Sequence, residues 1–384
     1  MARSRGVQHM TNVPVSKGAD EGRRERILVV GTRYIGDTVL MIPFLRNLRR
    51  ASPRAVIDFH AEGAARHMLA ACPFIDSFII RRRVTDGSGT LRRTLGGMAA
   101  EALAFRRTGY TRAYLLKSAP SAAMLALLAA IPHRVGFARG PNRVLLSRTV
   151  PVRAGRHQAD LYLDLLRADG LAVDDGHNDN WTVPVAAARV ESLLGAVPAG
   201  RPIVFLSPCA TNARRNWPSE RWARTLDWLV GERGCEVVLA GSPPDAPVHA
   251  AILAGMNPVL DGHVHDFSTA LSLPEAAALI ARVDLCVGID TGLPHLATSF
   301  GVPTVRLFGG SDPVRWGIWR GEGEIVHAPA GGGRDPMCGI EVGAVCDAVD
   351  RVLEECLRRP RDMRDGHPAG GATTDAGLTS AGAA

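Results

Sequence analysis

Residues 285–308 read L-C-V-G-I-D-T-G-L-P-H-L-A-T-S-F-G-V-P-T-V-R-L-F. An apolar run at 285–288 enters an Asp-Thr-Gly turn. A helix-length segment at 294–300 opens with Pro in its first turn, and Gly-Val-Pro then leads into a second β-branched run at 304–308. Strand, helix and strand in this order form a βαβ unit with parallel strands, because the helix carries the chain back to the end where the first strand began. The same rhythm is legible upstream as strand 203–206, helix 219–232, strand 237–240 and helix 274–282. It occurs once more nearer the N-terminus, as strands 27–30, 56–59 and 113–116 followed by helices 37–50, 62–71 and 120–130.

The reading is therefore α/β, with two facing Rossmann-like domains and a central cleft at the carboxyl ends of their strands. The length of 384 residues agrees, since chains beyond about 250–300 residues divide into more than one core. Residues 23–178 are expected to form the first domain, 179–200 a linker and 201–358 the second domain. Residues 1–22 and 359–384 have no apolar periodicity and are expected to be disordered extensions.

Several classes fall away on composition. The longest apolar stretch, Ala119 to Pro132, is too short to span a bilayer and is interrupted by Pro120 and Ser121, and the basic N-terminus lacks the apolar segment of a secretion signal. A cytoplasmic protein is expected, with seven scattered cysteines reduced and mostly buried, since no C-x-x-C pair suggests zinc or disulfide chemistry. Residues 21–180 hold 25 Lys and Arg against 14 Asp and Glu, whereas residues 181–384 hold 17 against 23. Aromatic residues interleaved with the basic ones are sparse in the first half, so a small anionic partner is expected there and not nucleic acid. There is no P-loop, H-E-x-x-H or G-x-S-x-G, and no D-x-D pair to hold a metal-bound diphosphate, so no metal is expected.

In open α/β sheets the chemistry lies at strand-to-helix turns. The first turn, I-L-V-V-G-T-R-Y-I-G-D (27–37), places Asp37 at a helix start, where it reads either as a helix cap or as a general base at the cleft mouth. The turn S-P-C-A-T-N-A-R-R-N-W-P (207–218) carries Thr211, Arg214 and Arg215 ahead of a helix N-terminus, reading either as solvated loop residues or as a phosphate site. The third turn, Asp290-Thr291-Gly292 with Pro294 and His295, reads either as a capped turn with a core-facing histidine or as a nest of amides for phosphate oxygens. A G-G-S-D-P loop at 309–313 is placed to close the same pocket.

Together these turns resemble glycosyltransferase family 9, the heptosyltransferases of lipopolysaccharide inner-core assembly, over most of residues 26–357. The most specific segments are the Gly31-x4-Gly36-Asp37 opening, I-P-H-R-V-G-F (131–137), Trp217-Pro218, A-G-S-P-P-D ending at Asp245, and D-T-G-L-P-H (290–295). The first two look most like heptosyltransferase II. The resemblance implies a GT-B fold, with acceptor bound by the N-terminal domain and ADP-heptose by the C-terminal one, and an inverting, metal-independent transfer. It implies Asp37 as the catalytic carboxylate and Arg215 at the position of a diphosphate-contacting lysine. It likewise implies Thr211 as a phosphate contact, Asp245 as a ribose contact, and Asp290, Thr291, Gly292 and His295 as the donor-binding motif.

The chain departs from the family pattern in having Pro208-Cys209-Ala210 for Pro-Gly-Ala and Arg215-Asn216-Trp217-Pro218 for Lys-Arg-Trp-Pro. Arg215 keeps the charge but presents a planar fork in place of a point ammonium. An anionic glycolipid acceptor gives the basic half a purpose, with Arg81, Arg82, Arg83, Arg139 and Arg143 as acceptor-side candidates and peripheral contact with the inner membrane face. The alternatives are the same chemistry on a natural product or another glycan, a hydrolysing nucleotide-sugar epimerase, and a non-catalytic nucleotide-sugar or polyanion binder.

Overall fold

The computed structural model describes residues 24–81, 84–85, 91–92, 95–329 and 335–358. The expected terminal extensions, with Arg82 and Arg83, lie outside the described residues. The first sheet contains β1 (Arg26–Val30), β2 (Val56–Ala61), β3 (Ser77–Ile80), β6 (Arg112–Leu115), β7 (His133–Phe137) and β8 (Arg148–Val150), with β4 (Val84–Thr85) and β5 (Leu91–Arg92) forming a separate antiparallel ribbon. The second contains β9 (Ile203–Ser207), β10 (Glu236–Leu239), β11 (Val264–Asp266), β12 (Leu285–Ile289), β13 (Thr304–Phe308) and β14 (Gly323–His327). Their orders, β3-β2-β1-β6-β7-β8 and β11-β10-β9-β12-β13-β14, are the same doubly wound arrangement. All pairings within both six-stranded sheets are parallel.

Thirteen α-helices are described: α1 (Ile35–Leu40), α2 (Ile42–Ala51), α3 (Gly63–Met68), α4 (Leu95–Thr108), α5 (Pro120–Leu128), α6 (Gln158–Ala168), α7 (Pro184–Leu194), α8 (Ser219–Gly231), α9 (Ala246–Ala254), α10 (Leu273–Ile280), α11 (Gly292–Ser299), α12 (Pro313–Trp316) and α13 (Val342–Arg358). The single helix expected at 37–50 is two, because Pro43 in the first turn of α2 has no N–H to continue the ladder across Met41. Pro218 is the N-cap of α8 and does not lie inside its first turn.

The strand order reverses between β1 and β6 in one sheet and between β9 and β12 in the other, and each reversal opens a crevice at the strands' carboxyl ends. The loops that leave β1, β9 and β12 are the three turns that carry Asp37, Arg215 and Asp290. Burial joins the halves. Val39 of α1 and Met68 of α3 share an apolar cluster with Phe205, Leu296 and Ala297, while Trp316 and Trp319 pack against the core of the first half. The segment after α6 is tied down as well: Asn47 Oδ1 accepts from the Asp174 and Asp175 amides, and Trp319 Nε1 donates to Gly176 O at 3.0 Å.

The halves approach closely between the N-terminal ends of α1 and α11. A Cβ on Gly292 would stand 2.8 Å from Ile35 Cβ and 3.2 Å from Gly36 N, and one on Gly36 would stand 2.9 Å from His295 Cδ2. Gly292→Ala is expected to force these ends apart, lowering unfolding free energy by about 1–3 kcal/mol. Gly343→Ala, on the exposed face of α13 with no atom in its way, is expected to add about 0.5–1 kcal/mol. Urea unfolding of both variants checks the contrast; equal effects would mean that the close approach does not constrain the fold.

Candidate active site

Asp37 occupies the first turn of α1, but Tyr34 is the N-cap and makes no side-chain cap bond. The Asp37 carboxylate is turned to two hydroxyls instead. Oδ1 accepts from Tyr162 at 3.0 Å and Oδ2 from Thr32 Oγ1 at 3.2 Å. Burial, the largest influence, pushes the carboxyl above its ordinary range, against the Tyr162 and Thr32 donors and the charges of Arg315 and Lys117.

Across the Gly36–Gly292 contact lies the second group of side chains. Arg215, half exposed, donates Nη2 to Asp290 Oδ2 at 2.7 Å and also to the Asp290 carbonyl. Asp290 is buried, and His295 Nε2 stands 3.4 Å from its Oδ1. Burial pushes the Asp290 carboxyl up, but bonds from His295 and Ser311 and the Arg215 charge outweigh it and hold the group below the carboxylate range. A pocket beside them is lined by Arg214, Arg215, Asp290, Gly310, Ser311 and Met337, so the G-G-S-D-P loop does reach this site.

Arg306 explains why His295 presents that nitrogen. It is a fully buried guanidinium on β13, donating to His295 Nδ1 (3.1 Å), Pro294 O (2.8 Å), Gly317 O (3.2 Å) and the Thr298 hydroxyl. An arginine can only donate, so Nδ1 accepts and Nε2 of the neutral ring carries the proton toward Asp290. Burial lowers His295 to about 4, reinforced by Arg306 and opposed by Asp290, and burial lowers Arg306 itself to about 10.

The remaining candidates take varied places. Thr211 is exposed at the start of the loop, where Asn212 Oδ1 accepts from Arg214 N and Asn216 Oδ1 from Ala210 N at 2.8 Å. Asn216, where the family pattern has arginine, therefore closes the loop that presents Arg215. Thr291 is the N-cap of α11, with its hydroxyl 3.4 Å from that of Ser207. Asp245 Oδ2 accepts from both the amide and hydroxyl of Ser242 at 2.7 Å, closing a capping box ahead of α9. Arg139 and Arg143 are exposed after β7, whereas Arg81 is buried with Nη1 4.0 Å from Glu62 Oε1.

All seven cysteines are free. Cys338 is exposed and Cys209 half-buried, with the Cys209 thiol pushed up to about 12 by burial and then by Asp245 and Asp266. No helix among the described residues is long and apolar enough to cross a membrane.

The sequence reading omitted Tyr162, Thr32, Arg306 and Arg315. Lys117 did carry a signal: it follows β6 at the switch point and is one of only two lysines in the chain. Arg306 carried one too, as a charge inside an apolar strand pattern, where burial requires partners. Tyr162 sits on a helix that the alternating rhythm did not mark.

Paired Rossmann-type sheets with their switch points facing one another define the GT-B fold. Residues 99–333 match the model of glycosyltransferase family 9 (heptosyltransferase), and the chain belongs to that family. Lipopolysaccharide heptosyltransferase 2 from Salmonella typhimurium and that from Escherichia coli K12 are each 29% identical to it over 302 residues, 75% of this chain and 84% of theirs. Among solved structures, a family 9 glycosyltransferase of Veillonella parvula (TM-score 0.76, 21% identity) and E. coli ADP-heptose lps heptosyltransferase II (0.73, 23%) share the fold. Each covers 86% of this chain, matched over 97% and 99% of its own length.

The depressed His295 value has a consequence for stability. Unfolded, the ring takes a proton near its ordinary 6.5; folded, it resists until about 4. Its contribution is therefore present above pH 6.5 and lost as pH falls toward 4, by roughly 3 kcal/mol. Denaturant unfolding at pH 7 and pH 4.5 is expected to show a stability difference between wild type and His295→Asn that shrinks at the lower pH. A constant difference would mean that the ring is not held neutral.

Proposed function

We propose that this glycosyltransferase moves heptose from ADP-heptose to a hydroxyl of a lipopolysaccharide inner-core acceptor, with inversion at the anomeric carbon and without a divalent metal. The observation that carries the reading is the half-buried Asp37 carboxylate beside the contact of Gly36 with the Asp290–His295 turn, whose Asp290 in turn holds Arg215. The relatives named lipopolysaccharide heptosyltransferase 2 support the substrates.

In the proposed step the acceptor hydroxyl gives its proton to Asp37, and its oxygen forms a bond to the anomeric carbon from the face opposite the diphosphate. The bond from that carbon to the β-phosphate oxygen breaks, its electron pair leaving with ADP. Arg215 and the N-terminus of α11 meet the charge that grows on the leaving oxygen. The Asp245 oxygen not used by Ser242 is left for the ribose hydroxyls, and Thr211 for a phosphate oxygen. Arg139 and Arg143 take the anionic acceptor, with peripheral contact at the inner membrane face. Residues 23–178 serve as the acceptor domain and 201–358 as the donor domain, linked through 179–200.

Asp37→Asn is expected to lower kcat by ~10²–10⁴ while donor binding changes little. Because burial works against ionised Asp37 in the folded protein, the variant's Tm is expected to equal or exceed that of wild type. Transfer assays with ADP-heptose and an inner-core acceptor, together with thermal melting, check both; wild-type turnover would reduce Asp37 to a structural carboxylate, as a non-catalytic binder requires.

Turnover is expected to persist in excess EDTA, since Arg215 and a helix N-terminus are assigned the charge that a metal would otherwise neutralise. Loss of activity in chelator, restored by magnesium, would overturn that assignment.

A further inference from the structure

Gln158 and Tyr162 lie one turn apart on α6, hence on one face of it, and both are buried. From the other half of the molecule, Arg315 donates Nε at 2.9 Å and Nη2 at 2.7 Å to Gln158 Oε1. With that oxygen occupied, the Gln158 amide nitrogen is the group that bonds the Tyr162 phenol, whose O–H donates to Asp37 Oδ1 at 3.0 Å. The sense of every bond follows from its ends, because a guanidinium can only donate and a carboxylate can only accept.

The start of α6 is fastened to the same segment by its neighbour. His157 Nδ1 accepts from Ala159 N, so Nε2–H donates to Gly317 O at 3.2 Å, and the ring stacks on Trp319 with centroids 4.7 Å apart. Upstream in this segment, Gly310 and Ser311 line the pocket beside Asp290, and Ser311 bonds that carboxylate. One stretch of chain, 310–319, therefore touches the donor-side pocket at one end and the hydrogen-bond chain to Asp37 at the other.

The geometry points to Arg315, Gln158 and Tyr162 as positioning residues that aim the Asp37 carboxylate at the acceptor and link that aim to the loop at the donor pocket. The inference rests on the reading of Asp37 as the base. A base must be ionised, and burial alone favours the protonated carboxyl. Tyr162 and Arg315 act against burial, as do Thr32 and Lys117, while the neutral His295 ring lies across Gly36. Of the other helices on α1, α3 turns Arg66 and His67 to solvent, and α2 pairs Arg46, Arg49 and Arg50 with aspartates. Burial drives the Tyr162 phenol far above its ordinary range, so it remains a donor at any working pH.

The test measures kcat and donor KM from pH 5 to 9 for wild type, Tyr162→Phe, Gln158→Leu and Arg315→Met, with thermal melting to confirm folding. Tyr162→Phe is expected to lower kcat about tenfold and leave donor KM within about twofold. Having lost a donor, the carboxylate holds its proton more tightly, so the acid limb of the kcat profile moves up by about one pH unit. Gln158→Leu and Arg315→Met are expected to move it the same way, and Arg315→Met, at a partly exposed position, supplies the reading if Tyr162→Phe fails to fold. An unmoved limb in the folded variants, with Asp37→Asn inactive, overturns the positioning chain alone. Wild-type turnover in Asp37→Asn overturns the base reading and the chain with it.

Discussion

Two glycines in contact set the distance on which the cleft depends. Gly36 and Gly292 begin helices in different halves of the molecule, and neither has the positive φ that usually demands glycine. Each is there because the opposing chain leaves no room for a Cβ. The consequence is geometric: the helix that carries Asp37 and the helix that carries His295 meet at their N-terminal ends. A carboxylate from the first half and the Asp290–Arg215 pair from the second are therefore carried on either side of one contact. Apolar burial behind the contact, through Val39, Met68, Leu296 and Ala297, holds it shut.

Around that contact the charges are arranged so that each controls a neighbour. Arg306 is the innermost. Placing a guanidinium inside a parallel sheet is costly unless its donors are met; carbonyls, a hydroxyl and an imidazole meet the two terminal nitrogens, while Nε has no partner among the described residues. Its reach to His295 sets the tautomer, the tautomer directs a proton to Asp290, and Asp290 in turn holds Arg215 by its guanidinium. An arginine restrained in this way has lost much of its rotamer freedom before any ligand arrives, which favours a fixed charge at the site over a mobile one.

The strands at the two switch points were legible because strands buried on both faces read as short continuous apolar runs; 27–30, 203–206 and 285–288 each fall within an observed strand. The edges were not. β3, β11 and β14 are half exposed, and the mixed polarity of β11 and β14 resembles loop. Helix α13 has a strong apolar stripe, yet the strand–helix rhythm that organised the reading ends before it. At the site, loop residues announced themselves through Gly, Asp and Pro at strand ends, which is why Asp37, Arg215 and Asp290 stood out. Tyr162, Gln158 and Arg315 gave no such signal: they meet only after folding, across 125 and 157 positions of sequence, and nothing local to any of them encodes the meeting.

The positive charge of the first half acquires a direction from the same topology. Several of its arginines are already committed to carboxylates: Arg46, Arg49, Arg112, Arg156 and Arg167 pair with aspartates of their own half or of the segment after α6. Arg139 and Arg143 are exposed instead, just beyond the carboxyl end of β7. In the sheet β7 stands two strands from β1, about 10 Å at the usual strand spacing. That is the span of one sugar ring with a charged substituent. On the proposed reading, an acceptor whose hydroxyl reaches Asp37 would set a neighbouring phosphate or acidic sugar beside these two arginines. The basic half would then orient the acceptor as well as attract it, because only one of the two ways of laying a polar chain across the strand ends brings its anionic part to β7.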